Sequence, residues 1–468
     1  MLTKRKINPI TGGYFVNRGA DRPFTHLRLL MPIYISSTTS IAMSSNLNQP
    51  KANDVVLGGQ TSTPINGAVL GGLPGVKQRL ARNSPRNSPY IVEQRINALK
   101  EALNYGTEGL NLVIGALNDP SWQVQRTAYS LLQKIQQPLV IQALQEYNPY
   151  QLFQCLYKYS TGRSTTYAIA ITPDGRMMIS GGNDRIITLR HLQTGRILRT
   201  LTGHSGSIYA LSLSPDGRTL VSGSRDKTLR VWNFNTVGNY NSISPTSRVI
   251  SDALMYTLTG HADSINTIAI SPDGQLLVSG SEDNTIKLWD LQTGECLATL
   301  EGHEAGVRAV AISPDAQLLV SGSADNTIKL WQLPDHASES ICPDPIYTLT
   351  GHTDWVKCLA ISPDGQLLAS GSQDKTIKLW HLETGEIKST LVGHWGEVNC
   401  IAISPDGQTL TSCSWDETIC LWHLGSLKQL HSLSGHQGAI ACFAISPEGQ
   451  PLVSSSWDHT MRVWGLND

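Results

Sequence analysis

The chain has 468 residues, of which 40% are apolar and 16% charged, and its formal net charge is −1. This apolar content excludes a wholly disordered chain, and no stretch approaches the ~18 apolar residues that a membrane-spanning helix requires. Eight cysteines without a C-x-x-C pair argue against a disulfide framework or a zinc ribbon, and they favour a reducing, cytoplasmic compartment.

Residues 1–90 form a basic leader rich in Gly, Ser, Pro and Asn. The leader holds eleven Lys and Arg but only two acidic residues, Asp21 and Asp54, so its balance is +9 and the rest of the chain carries −10. We predict that this leader is disordered. Its charge would also suit binding to nucleic acid or to an anionic membrane, although the acidic remainder disfavours a broad nucleic-acid surface.

Residues 91–150 show the period of α-helices. Apolar residues recur three and four positions apart over 92–103 and again over 110–117. Asp119 followed by Pro120 predicts an N-cap and the first helical position of a further helix. The stretch that starts there resembles a HEAT-type helical repeat. Because a solenoid needs about three repeats to stand alone, we expect this module to dock on the rest of the chain or on another protein.

A motif of the form [ST]-P-[DE]-[GA] occurs seven times in the remainder, with its prolines at 173, 215, 272, 314, 363, 405 and 447. The interval is 42 residues except for one of 57 and one of 49, which indicates two insertions, at about 236–253 and 334–345. A Gly-His pair recurs six times with the same basic period. An Asp recurs seven times, and a Trp follows it six residues later in every repeat but the first.

The residues of each repeat predict four short strands, as in 264–270, 276–279, 285–289 and 296–300, because apolar and polar residues alternate between turn signals. A repeated four-stranded sheet of ~40–45 residues is the unit of a β-propeller, a mainly β fold. We therefore expect seven blades over residues 152–468. The last repeat lacks a fourth strand, and residues 152–159 are predicted to supply it and close the ring.

The block GHADSINTIAISPDGQLLVSGSEDNTIKLWDL resembles the WD-repeat family, and the resemblance covers about two thirds of the chain. The helical segment before it is similar to those of some bacterial members. The resemblance implies a structural hydrogen-bonded tetrad of His, Ser, Asp and Trp in each blade. The tetrads carried over by position are His204, Ser222, Asp226 and Trp232; His261, Ser279, Asp283 and Trp289; His303, Ser321, Asp325 and Trp331; His352, Ser370, Asp374 and Trp380; His394, Ser412, Asp416 and Trp422; and His436, Ser454, Asp458 and Trp464.

The first repeat departs from this pattern. Gly162 takes the place of the His, and Arg190 takes the place of the Trp, whereas Ser180 and Asp184 are retained. We hypothesise that Arg190 pairs with Asp184 and so replaces the lost network.

Several aromatic and cationic residues near the Gly-His and Asp turns are not required by the blade. Residues of these types dominate the binding energy of protein interfaces. We predict that they form a partner-binding face: Trp355, Trp395, Trp415, Trp457, Tyr167, Tyr209, Arg225, Arg308 and Lys357.

The function predicted from these observations is a non-enzymatic scaffold that binds a peptide or protein, without a cofactor or a metal site. One alternative is a propeller-class hydrolase, which would need acidic or histidine side chains converging on the central channel. Outside the tetrads only Glu282 and Glu397 are placed there. The other alternative is nucleic-acid or anionic-membrane binding through the leader. It predicts a binding affinity that depends steeply on salt, and deletion of 1–90 should abolish this dependence.

Overall fold

Seven four-stranded antiparallel sheets follow one another along most of the chain. The structure, a computed structural model, describes residues 72–81, 89–147, 149–234, 253–333 and 344–466. Blades are numbered in chain order by their first strands, and the last blade takes its fourth strand from the start of the series. This arrangement confirms the predicted seven-bladed propeller.

The strands of the first four blades are β2 (Thr166–Ile171), β3 (Met177–Gly182), β4 (Ile187–His191) and β5 (Ile197–Leu201); β6 (Ile208–Leu213), β7 (Thr219–Ser224), β8 (Leu229–Asn233) and β9 (Leu254–Leu258); β10 (Ile265–Ile270), β11 (Leu276–Ser281), β12 (Ile286–Asp290) and β13 (Cys296–Leu300); and β14 (Val307–Ile312), β15 (Leu318–Ser323), β16 (Ile328–Gln332) and β17 (Tyr347–Leu349). Those of the other three are β18 (Val356–Ile361), β19 (Leu367–Ser372), β20 (Thr376–His381) and β21 (Ile387–Val392); β22 (Val398–Ile403), β23 (Thr409–Ser414), β24 (Ile419–His423) and β25 (Lys428–Leu433); and β26 (Ile440–Ile445), β27 (Leu452–Ser456) and β28 (Thr460–Gly465) with β1 (Gln154–Ser160).

The first strand of each blade lies innermost. First strands of neighbouring blades contact each other all the way round, including β26 with β2 across the closure. Second strands are almost wholly buried, because neighbouring blades cover both of their faces. A Cβ at Gly280 would lie only 2.6 Å from Val307 of the next blade, so this close blade packing requires a glycine in the S-G-S segment.

The ring closes through β1. This strand pairs antiparallel with β28, with Gln154 opposite Gly465 at one end and Ser160 opposite Thr460 at the other. The prediction of an N-terminal closing strand is confirmed, but its start at 152 is wrong. Residues Pro149–Leu152 form a 3-10 helix, and the strand begins at Gln154.

Both insertions join third to fourth strands, between β8 and β9 and between β16 and β17, as predicted. Most of their residues lie outside the described ranges. Because successive strands run antiparallel, these connections share one end of the propeller with the Ser-Pro-Asp-Gly turns. The Gly-His turns and the Asp turns share the other end, which we call the upper face.

Five α-helices precede the propeller within the described residues: α1 (Gly72–Leu80), α2 (Pro89–Ala102), α3 (Gly106–Gly115), α4 (Trp122–Leu132) and α5 (Pro138–Glu146). Short 3-10 helices at Leu103–Tyr105 and Ala116–Asn118 continue α2 and α3. The helix α1 lies inside the range assigned to the leader, so that boundary is too late. Val76 explains the difference, because it is fully buried in the core of the helical module. The predicted leader residues before 72 lie outside the described residues.

Asp119 does not cap α4, contrary to the prediction. The N-cap residue is Ser121, whose backbone N–H donates a 2.8 Å hydrogen bond to the Asp119 carboxylate. The same carboxylate forms a buried ion pair with Arg95 of α2. Asp119 therefore joins two helices of the module instead of ending one.

The helical module docks on the propeller. Leu152 and Leu466, which flank the closing strand pair, pack into the core of the helices. Tyr150 and Phe153 pack in turn with Trp464 of blade 7. None of the described helices has the length and apolar character needed to cross a bilayer.

Ala316 provides a test of backbone strain. It occupies the turn position that is glycine in the other six repeats, and its φ is 59°. Since a side chain disfavours this conformation, Ala316→Gly should raise the free energy of unfolding by about 1 kcal/mol in urea denaturation.

The matched control is Gly365→Ala in the same turn of the next blade. A Cβ there would meet only Pro314, at an ordinary 3.9 Å, so its effect reports the backbone alone. We expect a loss of about 1 kcal/mol. Equal stabilities of all three proteins would contradict the strain argument.

Candidate functional site: the tetrads and the upper face

The six predicted tetrads are all present. In blade 3, Trp289 donates its indole N–H to Ser279 Oγ at 2.9 Å, and Ser279 Oγ lies 2.8 Å from His261 Nε2. His261 Nδ1 lies 2.9 Å from Asp283 Oδ2. The other five tetrads repeat these contacts at 2.7 to 3.0 Å. One direction of donation, from Trp through Ser and His to Asp, satisfies every atom when the imidazole is neutral.

The serines and tryptophans of the tetrads lie in the core, where neither a partner nor a substrate can reach them. The serines have no exposed surface, and they are Ser222, Ser279, Ser321, Ser370, Ser412 and Ser454. The tryptophans are at most 3% exposed, and they are Trp232, Trp289, Trp331, Trp380, Trp422 and Trp464. Burial therefore removes these residues from any contact surface.

The aspartate of each tetrad holds two turns together. Asp283 Oδ2 also accepts the backbone N–H of Ala262 at 2.7 Å, in the Gly-His turn. Its Oδ1 accepts the backbone N–H of Thr285 at 3.0 Å and the Thr285 hydroxyl at 2.7 Å. This fifth member was not predicted, although D-x-T recurs in the same six repeats: Thr228, Thr285, Thr327, Thr376, Thr418 and Thr460.

The order Ser, His, Asp is that of a hydrolase triad, but the surroundings differ. Each tetrad serine Oγ is enclosed and already accepts an indole N–H. A nucleophile must reach its substrate, so this geometry contradicts the triad interpretation. The histidines are also spread one to a blade, and among the described residues no cluster of His, Cys, Asp or Glu side chains could hold a metal ion.

A β-bulge at one position of every inner strand organises the upper face. In blade 3 it falls at Asn266, between Ile265 and Thr267, and the same irregularity occurs in all seven blades. A bulge re-aims the side chain of its extra residue. The bulged residues, four of which belong to the predicted partner-binding set, are Tyr167, Tyr209, Asn266, Arg308, Lys357, Asn399 and Ala441.

A second ring is formed by the residue before each turn Asp. The backbone N–H of this residue donates to the carbonyl just before the inner strand of the same blade. Trp415, for example, donates to Glu397 O at 3.0 Å. This bond fixes the turn beside the bulge. The ring consists of Asn183, Arg225, Glu282, Ala324, Gln373, Trp415 and Trp457.

The predicted aromatic residues meet in pairs. Trp415 and Trp457, from neighbouring blades, have ring centroids 5.0 Å apart and are 45% and 47% exposed. Tyr167 and Tyr209 meet edge to face at 5.5 Å. Trp395 is 87% exposed and has no ring contact with any other residue in the described ranges.

The cations of the inner strands are engaged. The Arg308 guanidinium lies over the ring of Trp355 at 4.7 Å and donates to Glu282 at 2.9 Å. Lys357 Nζ lies 2.8 Å from Glu397 Oε2 in the next blade. Asn399, which the prediction omitted, also accepts from Lys357 at 2.6 Å. The two acids considered for a hydrolase are therefore partners of cations on the same face.

Comparison with known proteins decides the family. The model of the WD domain, G-beta repeat (WD40) matches seven segments, at residues 153–189, 195–233, 253–290, 294–332, 343–381, 385–423 and 427–465. The chain belongs to the WD40 repeat family. The predicted resemblance is thus confirmed for the propeller, while its bacterial type and the HEAT-like character of the helices stay predictions.

The chain is similar to eukaryotic WD40 proteins. It is 30% identical over 130 residues to mitochondrial division protein 1 of Saccharomyces cerevisiae (strain YJM789), a match covering 27% of this chain and 18% of that protein. It is 30% identical over 122 residues to pre-mRNA-processing factor 19 homolog 2 of Arabidopsis thaliana, covering 26% and 21%. It is 28% identical over 141 residues to nuclear distribution protein nudF of Aspergillus oryzae, covering 30% and 28%.

The WD40 tetrads perturb the ionisation of their aspartates. Burial alone would raise the pKa of Asp283, but hydrogen bonds from Thr285, Ala262 and His261 outweigh it and lower the pKa to about 2. The same kinds of donor hold the pKa of the other five tetrad aspartates well below the ordinary value. These carboxylates are ionised acceptors at neutral pH.

The tetrad histidines His261 and His394 differ in the residue at one neighbouring position. Burial lowers the pKa of His261, against the pull of Asp283, and the Lys287 ammonium adds to this effect. In blade 6 that position is Cys420. Burial still disfavours the charged imidazole of His394, but Asp416 and Cys420 outweigh it and raise the pKa to about 9.

Blade 1 does not contain the predicted substitute network. Arg190 and Asp184 form no ion pair within 4.0 Å, and the guanidinium instead donates to Gly195 O at 3.4 Å. Gly162, which stands at the position of the His, has a φ of 78°, and a histidine in this conformation would be strained.

Blade 1 provides the matched control for the energetics of a tetrad. Ser279→Ala leaves Trp289 and His261 with buried polar atoms unpaired, and we expect a loss of about 3 kcal/mol in urea denaturation. Ser180→Ala removes only a 3.4 Å bond to Thr188 O, and we expect a loss below about 1 kcal/mol. Equal losses would show that the tetrad contributes nothing beyond the serine itself.

The lowered pKa of the tetrad aspartates predicts how the stability of the folded protein responds to acid. Their pKa is lower in the folded than in the unfolded chain, where it is about 3.9. They therefore contribute stability above about pH 4, and this contribution is lost as pH falls through their folded pKa. We expect the melting temperature to fall between about pH 4 and 2, with a shallower fall in Asp283→Asn. A melting temperature that is constant over this range would contradict the assignment.

Proposed function

We propose that this WD40 propeller is a non-enzymatic scaffold that binds a peptide or protein segment on its upper face. The observation that carries the proposal is the exposure of large aromatic rings on that face. Trp355, Trp395, Trp415 and Trp457 are between 39% and 87% exposed, although tryptophan is mostly buried in folded proteins. Exposed aromatic clusters beside arginine are typical of the energetic centres of protein interfaces.

The folding role of the blade does not account for these tryptophans. The tetrad tryptophans are buried and donate to serine, so they belong to the core. Trp415 and Trp457 instead stand in turns where other blades carry Asn, Arg, Glu, Ala or Gln. Since so many residue types fit this position, two adjacent tryptophans there support a role in binding.

The family supports the same coarse function, because WD40 propellers generally bind protein partners. The chain spans less than a third of the length of each of the relatives named above, so their whole activities are not transferred. The hydrolase alternative gains no support, because the tetrad serines are enclosed and Glu282 and Glu397 are engaged by cations. Binding through the leader falls mostly on residues outside the described ranges, and the cytoplasmic location stays a prediction.

The double variant Trp415→Ala/Trp457→Ala tests the proposal. It removes one exposed aromatic pair, and we expect each partner captured from native extract by the wild-type chain to bind at least ~30-fold more weakly, as for an energetic centre worth about 2 kcal/mol or more. Affinity capture followed by titration of the recovered partner measures this loss.

The control is Tyr347→Ala. Tyr347 is also 50% exposed, but it lies on the outer strand of blade 4 and away from the upper face. The variant Tyr347→Ala should leave partner binding unchanged, and both variants should keep the melting temperature of the wild-type chain. A folded double variant that still captures every partner would overturn the proposal.

A further inference from the structure

Positive charge on the upper face is concentrated in two blades. The Gly-His-type and Asp turns of blades 1 and 2 carry four cations: Arg163, Arg185, Arg225 and Lys227. The corresponding turns of blades 3 to 7, all of them within the described residues, carry a single Lys or Arg, Lys375. The cations on the inner strands of blades 4 and 5 are paired with glutamates. A partner on this face therefore meets a basic sector only at blades 1 and 2.

Two of these cations line one cavity at the boundary between the blades. Arg185 comes from the Asp turn of blade 1 and Arg225 from that of blade 2, and the open cavity between them measures about 480 Å³. Arg185 Nη1 reaches Ser205 O at 3.5 Å, which directs this side chain across the boundary. The remaining lining residues are small or polar: Asn183, Ser205, Gly206, Ser207 and Asp226.

The carboxylate of Asp226, which lines the cavity, already accepts hydrogen bonds within its own blade. Asp226 Oδ2 accepts from His204 and from the backbone N–H of Ser205, each at 2.8 Å. Its Oδ1 accepts the backbone N–H of Thr228 at 3.1 Å and the Thr228 hydroxyl at 2.6 Å. The carboxylate is thus bound to its own blade and does not serve the arginines.

The side chain of Arg225 has no partner. It is exposed, and its guanidinium makes no hydrogen bond or ion pair with any residue that the structure describes. The backbone N–H of Arg225 donates to Ser207 O at 2.8 Å, which fixes Arg225 beside the start of the inner strand that carries Tyr209. Tyr209 meets Tyr167 edge to face, so this aromatic pair and the exposed cation lie on the same face.

We propose that Arg185 and Arg225 form a subsite for the phosphate of a phosphorylated serine or threonine in the segment that binds the upper face. This inference rests on the proposed function and names the chemistry of its partner. A phosphate monoester carries nearly two charges and three terminal oxygens, enough to accept from two guanidinium groups at once. A carboxylate carries a single charge on two oxygens, so it offers two guanidinium groups less charge and fewer acceptor atoms. Two arginines that line one cavity, whose lining carboxylate is already bonded, therefore favour phosphate.

The test uses the purified full-length chain and three arrays of synthetic peptides with randomised flanks. The central residue is phosphoserine, serine or glutamate. We expect at least ~10-fold stronger retention on the phosphoserine array than on the other two. The double variant Arg185→Ala/Arg225→Ala should lose this preference, and Arg225→Lys should weaken it, because an ammonium lacks the planar fork.

Lys375→Ala provides the matched control, since Lys375 occupies in blade 5 the turn position of Arg185 and should leave the preference unchanged. Both arginines are surface residues of turns, so the variants should keep the wild-type melting temperature. Equal retention on the glutamate array would overturn the proposal in favour of a carboxylate subsite. A phosphoserine preference that survives Arg185→Ala/Arg225→Ala would overturn the assigned residues.

The two proposals fail in different ways. If partner capture depends on Trp415 and Trp457 but is unchanged by phosphatase treatment of the extract and by the arginine variant, the phosphate subsite is wrong and the scaffold function stands. If capture is unaffected by the tryptophan variant as well, the scaffold function itself is wrong.

Discussion

The propeller depends on an ionised carboxylate placed at the junction of two turns. In six blades this aspartate accepts hydrogen bonds from a histidine, a threonine and two backbone N–H groups, as Asp283 does. The histidine carries the connection inward through serine to a buried tryptophan. Because buried polar atoms must be paired, the network either forms completely or leaves several atoms unsatisfied. It therefore fixes the Gly-His turn, the Asp turn and the third strand together.

This constraint also determines what the rest of the blade is free to do. With both turns fixed, the blade does not prescribe one residue type before the Asp or at the bulge of the inner strand. Residue types vary widely at these two positions, from alanine to tryptophan. The tetrads thus hold the turns of the upper face in place while its side chains differ from blade to blade, an arrangement that suits a binding site. Both proposals concern residues at or beside these positions.

Blade 1 shows how the fold tolerates an incomplete network. It lacks His, Trp and the turn threonine, and its backbone at Gly162 adopts a conformation that favours glycine. Like the inner strand of every other blade, β2 contacts the inner strands of both neighbouring blades, β26 and β6. The closing pair β1–β28 lies in the adjacent blade. Closure of the ring and docking of the helical module both involve that adjacent blade, through β28 and Trp464.

The sequence was sufficient for the parts of the structure that are local and repeated. The seven blades, their four strands, the closing strand and the six tetrads all follow from residues at fixed offsets within one period. Even so, the threonine of each tetrad was missed, because its role depends on the second oxygen of the aspartate. The boundary of the leader was misplaced as well, because α1 is stabilised by burial of Val76 and not by a strong local pattern.

Only the tertiary structure decided the contacts between blades. The pairs Trp415–Trp457 and Lys357–Glu397 join residues about 40 positions apart, and the cavity between Arg185 and Arg225 does so too. The expected ion pair Arg190–Asp184 does not form, because two residues that are close together in one repeat need not have charged groups that meet. A period specifies which residues share a face, but the orientation of each side chain is set by the bulge, the turn and the neighbouring blade. Those three-dimensional relations determine which exposed residues form a site.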